Sequence, residues 1–221
     1  MRKSVLKQTI AALVFGPALI AVPMSSYADE VLNFHVLKGD EKIGYEKIEI
    51  TDTENGRTVK ITGKTDVTVL FVDYHYAHER TEKWENNQIV SVEAKTSEDD
   101  KTYDFSVSYQ DDCYEISGKH VDERKACNGA WPVSMWKEDV TGKTYLYSVI
   151  NAEPYEVKTN KVGEETLMIE NRETPAVHYV MTGDAERKLW YDKNGKLLKT
   201  SLKKEGYDID FIRVDAIALQ E

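Results

Sequence analysis

Tyr103-Asp104-Phe105-Ser106-Val107-Ser108-Tyr109-Gln110 alternates apolar and polar side chains at every step. Successive side chains of a strand point to opposite faces, so this stretch predicts a strand with one dry face and one wet face. A helix would need its apolar residues three and four apart, and that spacing is absent. Val177, Tyr179 and Met181 repeat the alternation against His178 and Thr182.

Working outward, short alternating segments follow one another from Val31 onward, separated by turn residues every eight to twelve positions. The turn signals are Gly39-Asp40, Asn55-Gly56, Asn86-Asn87, Asp111-Asp112, Asn171-Arg172 and Asn194-Gly195. Asn55-Gly56 and Asn194-Gly195 are the strongest candidates for type I′ turns, which need positive φ at both central positions. β-Branched and aromatic residues abound, and no stretch of eleven or more carries a period of 3.6. The least strand-like segment is Asn128 to Lys143, which contains Trp131-Pro132 and Trp136 and reads as a crossing loop or a single helical turn. The expectation is an all-β, single-domain antiparallel meander of roughly ten to twelve strands over residues 29–221. Open twisted sheets rarely exceed ~10 strands, so such a meander must form a strongly curved sheet or an incomplete β-barrel.

Composition fits that class. The 221 residues are 41% hydrophobic and 31% charged, with a net charge of −10. The mean hydropathy of −0.54 argues against an integral membrane protein that crosses several times. An acidic chain lacks the basic face that displaces counterions from phosphates, so no nucleic-acid partner is expected. Arg2, Lys3 and Lys7, the apolar run Ile10 to Val22, and Ser26-Tyr27-Ala28 before Asp29 have the layout of a signal peptide over residues 1–28, cleaved after Ala28. The apolar run is shorter than the ~20 residues that span a bilayer and contains Pro17. Loss of that leader would leave 193 residues with 26 basic and 39 acidic side chains, a net charge of −13. The expected location is therefore the periplasm or the exterior. There, Cys113 and Cys127 can pair across the intervening Gly118-Lys119 turn as a structural disulfide.

The segment richest in chemistry is Tyr74-His75-Tyr76-Ala77-His78-Glu79-Arg80-Thr81-Glu82-Lys83-Trp84. On one strand, Tyr74, Tyr76, His78, Arg80, Glu82 and Trp84 share a face. Facing the interior of a curved sheet, they form either a ligand-binding wall that meets a polar group while the aromatics cover an apolar body, or a packed core in which Arg80 pairs with Glu82. His75 and His78 fall on opposite faces of such a strand, so no metal site is read there. Glu98-Asp99-Asp100 and Asp111-Asp112 lack the alternating ligands and glycine of a calcium loop. Neither nucleophile elbow, zinc-protease helix nor phosphate-cradling loop appears, so no catalytic residue and no cofactor is assigned. Trp131 and Trp136 read as lid residues over a cavity or as a plug that seals one end of the barrel, the plug being favoured because an incomplete barrel must cover its core.

Trp131-Pro132-Val133-Ser134-Met135-Trp136, Gly163-Glu164-Glu165-Thr166 and the run Thr182 to Asp192 with Asn194-Gly195 resemble an uncharacterised family of exported bacterial proteins known only as a domain of unknown function. Lys42-Ile43-Gly44-Tyr45 and the Tyr74 to Trp84 stripe look like its N-terminal signatures, so the resemblance spans nearly the whole chain after the leader. Leu189-Trp190-Tyr191-Asp192 is also similar to a second group of exported proteins with a curved β-sheet. Against that pattern the cysteine pair reads as a local elaboration. The resemblance implies a fold but no activity. The leading functional expectation is a non-enzymatic exported protein that binds a small amphipathic or lipid-like ligand through Tyr74, Tyr76, His78, Arg80, Glu82, Trp84 and Trp136. The alternatives are an envelope scaffold that engages another envelope protein, and a hydrolase with dispersed carboxylates.

Overall fold

Alternation in the sequence becomes length in the sheet. In the computed structural model, which describes residues 29–69, 72–204 and 206–215, the strands are β1 (Asp29–Lys38), β2 (Glu41–Thr53), β3 (Gly56–Val69), β4 (Val72–Glu85), β5 (Gln88–Glu98), β6 (Lys101–Gln110), β7 (Cys113–Lys119), β8 (Arg124–Ala126), β9 (Trp131–Pro132), β10 (Tyr145–Tyr147), β11 (Pro154–Ile169), β12 (Arg172–Gly183), β13 (Arg187–Tyr191), β14 (Leu197–Lys204) and β15 (Tyr207–Val214). The leader expected over residues 1–28 lies outside the described residues. The count exceeds the ten to twelve expected from the sequence. The surplus is β8, β9 and β10, strands of two or three residues that are too short to show a period.

All fifteen strands form one sheet, ordered β8-β7-β6-β5-β4-β3-β2-β1-β15-β14-β13-β12-β11-β10-β9. Two meanders thus meet where the first strand pairs with the last, Asn33 opposite Val214 through Lys38 opposite Ile209. Every pair is antiparallel except β9 and β10. The sheet does not close by hydrogen bonds, since β8 and β9 remain its two edges. Yet only residues 127–130 connect those edges. Laid flat, fifteen strands at a spacing of ~4.8 Å would set the edges about 67 Å apart. Five chain steps reach about 18 Å. The sheet must therefore curl almost into a ring, and side chains meet across the gap: Tyr114 of β7 lies 5.3 Å from Tyr147 of β10, and Arg124 reaches Glu153 at 3.7 Å.

Positive φ places the turns, though not all where the sequence suggested. Asn86-Asn87 (φ 48° and 65°) and Asp111-Asp112 (50° and 58°) have the left-handed pair of a tight hairpin, and Glu170-Asn171 (47° and 62°) does so one residue before the expected Asn171-Arg172. Neither Asn-Gly step is a type I′ turn. The first hairpin turns at Glu54-Asn55, and Gly56 already belongs to β3, where a Cβ would stand 1.8 Å from the Trp84 carbonyl oxygen. Close approach of β4, not turn geometry, requires that glycine. At Asn194-Gly195 only Gly195 has positive φ, and the Gly195 amide donates to the Asp192 carbonyl.

The segment Asn128 to Lys143 crosses from one edge of the sheet to the other and then blocks one end of the barrel. It includes a 3₁₀ turn, Glu138–Gly142. Trp136 accepts from the Leu197 amide, Glu138 donates to the Gly195 carbonyl, and Met135 accepts from the Tyr191 hydroxyl at 3.1 Å. Trp84, Trp131 and Trp136 pack edge to face with centroids 5.9 and 5.4 Å apart. Lys143 and Lys196 cover the outer faces of Trp131 and Trp136 at 3.9 and 4.7 Å. The main core, with Leu32, Phe34, Ile48, Val59, Ile61 and Leu189, fills the barrel around this plug. A smaller cluster of Ile169, Ala176, Trp190 and Leu198 lies apart from it. Cys113 and Cys127 form a disulfide, with Cα atoms 4.2 Å apart, that staples the β7–β8 hairpin. In the chain-entropy account, closing a loop of this size stabilises the fold by ~3 kcal/mol.

Candidate functional site

The inward face of β4 is divided. Beyond Arg80, toward the plug, Glu82 and Trp84 are packed solid, with Glu82 fully buried. Glu82 accepts from Arg80 Nε at 2.8 Å, Trp84 Nε1 at 3.0 Å, Ser134 Oγ at 2.7 Å and Trp136 Nε1 at 3.2 Å. Four donors and an ion pair satisfy a carboxylate that would otherwise be costly to bury. The pairing of Arg80 with Glu82 is thus the along-strand contact that the sequence allowed as an alternative to a site.

Before Arg80, the same face opens into a cavity of about 240 Å³. Tyr74, Tyr76, His78 and Arg80 line it, and Trp136 and Met135 of the plug form its floor. Glu82 and Trp84 do not reach it. Five of the seven residues singled out in the sequence therefore meet around one void, and the other two hold the plug beneath it. Trp131 belongs to the plug alone.

His78 is nine-tenths or more buried. Its Nε2 lies 3.1 Å from Arg80 Nη1 and its Nδ1 lies 2.8 Å from Thr96 Oγ1. Guanidinium can only donate, so Nε2 accepts and the proton rests on Nδ1, directed at Thr96. Burial, with the Arg80 charge adding to it, lowers this imidazole to about 3. His78 is consequently a neutral, oriented member of a chain that runs from Glu82 through Arg80 to Thr96. His75 projects from the opposite face and pairs with Asp66 at 2.9 Å.

Sequence reasoning missed several charged residues of the cavity, Glu46 and Arg187 among them. Glu46 of β2 and Arg187 of β13 are both half-buried, and both line the void. Burial raises the Glu46 carboxyl above its ordinary value, against the pull of Arg80 and Arg187. Burial likewise lowers Arg187, against the pull of Glu46. The signal was present: Glu46 is in phase with the buried Ile48 and Ile50, and Arg187 with the buried Leu189 and Tyr191. Opposite Glu46 and His78 across the ladder sits Gly63. Its φ is ordinary, and a Cβ there would meet nothing closer than 3.7 Å, so what this glycine provides is space.

Much of the remaining wall is apolar, with Val36, Ile43, Ile48, Leu202, Ile209 and Phe211. The rim lies among hairpin ends, where Lys204 donates to both Glu98 and the Tyr74 hydroxyl. Burial pushes Glu98 up, but Lys204 and Tyr74 outweigh it and hold its carboxyl below the ordinary value.

The fold and site together define a curled, incompletely closed β-barrel, plugged at one end and hollow at the other. Residues 34–214 match DUF6134, a domain of unknown function, and the chain belongs to that family. In overall structure it is similar to the crystal structure of a β-barrel-like protein of domain of unknown function DUF1849 from Brucella abortus. That likeness has a TM-score of 0.58 and 11% sequence identity, and covers 84% of this chain and 95% of the other. At that identity the likeness speaks for the fold alone. No curated protein matches the chain. Among the described residues no helix is long and apolar enough to cross a membrane. A disulfide is compatible with an oxidising compartment such as the periplasm.

Proposed function

We propose that the protein is an exported binding protein that holds a small amphipathic ligand in its barrel. The observation that carries this reading is the cavity's mixed wall, in which apolar side chains of β1, β2, β14 and β15 lie beside the charged Glu46, Arg80 and Arg187 of β2, β4 and β13. A ligand with an apolar body and a polar end satisfies both, as small-molecule sites generally do with a few placed polar groups in an apolar pocket. Its size favours one short chain: about 240 Å³ exceeds the ~150 Å³ hole that accepts benzene and falls below the ~300–1,000 Å³ of drug-sized sites. Export is supported by the signal-peptide-like layout of residues 1–28 and by the disulfide. The scaffold reading draws less support, because the sheet's free edges are strands of only three and two residues and offer little to a strand-adding partner.

Gly63→Leu is the direct test, since it fills the void without demanding a new backbone conformation. Native mass spectrometry of wild-type protein after mild extraction should show a bound small species, and an environment-sensitive apolar dye should enter the wild type. Gly63→Leu should lose both while its thermal midpoint stays within a few degrees. Identical dye uptake by the two proteins, with no bound species, would sink the reading.

A further inference from the structure

Arg187 lines the cavity without a paired carboxylate among the described residues. Among the described residues it makes no hydrogen bond, and no carboxylate oxygen lies within 4.0 Å of it. A guanidinium cannot escape desolvation by giving up its proton, so a half-buried one that faces a cavity without a partner is free to receive an anion there. Two carboxylates are near enough to be considered. Glu82 is saturated by its four donors on the far side of Arg80. Glu46 feels both arginines but is in hydrogen-bond contact with neither, and burial works against its ionisation. Arg80 donates through Nε to Glu82 and through Nη1 to His78, which leaves its third nitrogen without a partner among the described residues. His78 adds no charge to the site, because its Nε2 already accepts from Arg80. Two guanidinium groups thus line one void, Arg80 next to Glu82 beside the plug and Arg187 on β13, where its neighbour Lys188 pairs with Ser201 of β14, and apolar side chains lie among them.

From this arrangement we propose that Arg187, assisted by Arg80, receives the oxyanion head of a single-chain amphiphile, a carboxylate or a phosphate monoester, whose apolar body packs on the cavity's apolar side chains. The inference rests on the binding reading above and adds the sign of the ligand's head group. Glu46 then acts as an internal competitor for Arg187 while the cavity is empty. It also disfavours a second negative charge at the head.

Four eight-carbon probes separate the possibilities by isothermal titration calorimetry at pH 8: octanoate, octyl phosphate, octanol and octylammonium. Wild-type protein should bind octanoate or octyl phosphate at least about 10-fold more tightly than octanol, as charge-assisted bidentate contacts do relative to neutral ones. Which of the two acids is preferred reports the source of the head group. Octylammonium should bind most weakly. Arg187→Leu should bring octanoate down to the octanol value, and Arg187→Lys should restore part of the difference. Should Arg187→Leu fail to fold, Glu46→Gln serves instead: removal of the competitor should tighten octanoate several-fold and leave octanol within 2-fold. Equal affinity for octanoate and octanol in the wild type overturns the inference and leaves the binding reading standing. Failure of all four probes, with Gly63→Leu indistinguishable from wild type in dye uptake, overturns both.

Discussion

Glu82 and Arg187 both carry charge inside one sheet, and they differ in what surrounds them. Four donors converge on Glu82, whereas Arg187 faces a void. His78 stands between these extremes as a neutral base, and its lowered value gives a pH dependence whose sign can be worked out. The unfolded chain takes up a proton on this ring below about 6.5, while the folded chain resists to about 3. Between those values the unfolded state holds more protons, so acid favours unfolding, by up to about 1.4 kcal/mol per pH unit for one group. Glu46 has the opposite sign, because its raised value contributes stability that is present below its unfolded value and lost as pH rises through the folded one. It therefore partly masks the effect of His78 above pH 4.5. Urea midpoints at pH 7, 6 and 5 should fall with acidification in the wild type. They should fall more steeply in Glu46→Gln and less steeply in His78→Gln. Parallel slopes in all three would show that His78 is not held neutral. The β4 stripe was legible because alternation fixes which side chains share a face. Whether that face met a core or a void was not, because Ser134, which closes over Glu82, is 52 positions away.

At the scale of elements, the plug divides the barrel, and Glu82 is what it grips. Ser134 and Trp136 are both tied to that one carboxylate, and Met135 to Tyr191. Glu82→Ala would leave Arg80 without its ion partner and two indole N–H groups unsatisfied in a dry core. Breaking a buried pair from one side costs about 3–5 kcal/mol, so urea unfolding should show a loss in that range. Because Trp84 and Trp136 form the floor's packing, native-state tryptophan emission should also shift to the red. A loss under about 1 kcal/mol with unchanged emission would mean that packing of the three tryptophans holds the plug without the carboxylate. Strands and hairpins were readable from alternation and turn residues, since both are local properties. The need for a plug was readable from an uncovered core, but its contacts were not, because Trp131-Pro132 has no period and its partners are β4, β10 and the β13–β14 hairpin. Gly56 shows the same limit in miniature: its local signal says turn, while its need for space comes from Trp84 on a neighbouring strand.

For the whole molecule, the open question is what bends the sheet into a ring, the short covalent link at residues 127–130 or the packing inside. The sequence implied curvature through the number of strands alone, and could not say where the ring breaks. Contacts across the break favour packing as the cause. Tyr114 meets Tyr147 and Arg124 meets Glu153 there, and across the interior the plug ties β4 to the β13–β14 hairpin. Inserting ten Gly/Ser residues after Gly129 separates the two causes. If the link imposes the curl, a longer one lets the edges part, so the radius of gyration in solution rises and the cavity is lost. If packing imposes it, the cost is loop entropy, which grows as (3/2)RT ln n and comes to about 1 kcal/mol when four residues become fourteen. The expected outcome is the second: a stability loss of about 1 kcal/mol, an unchanged scattering profile apart from the added loop, and dye uptake like that of the wild type. Expansion of the particle together with loss of dye uptake would assign the curl to the link, and would make those four residues the determinant of the cavity.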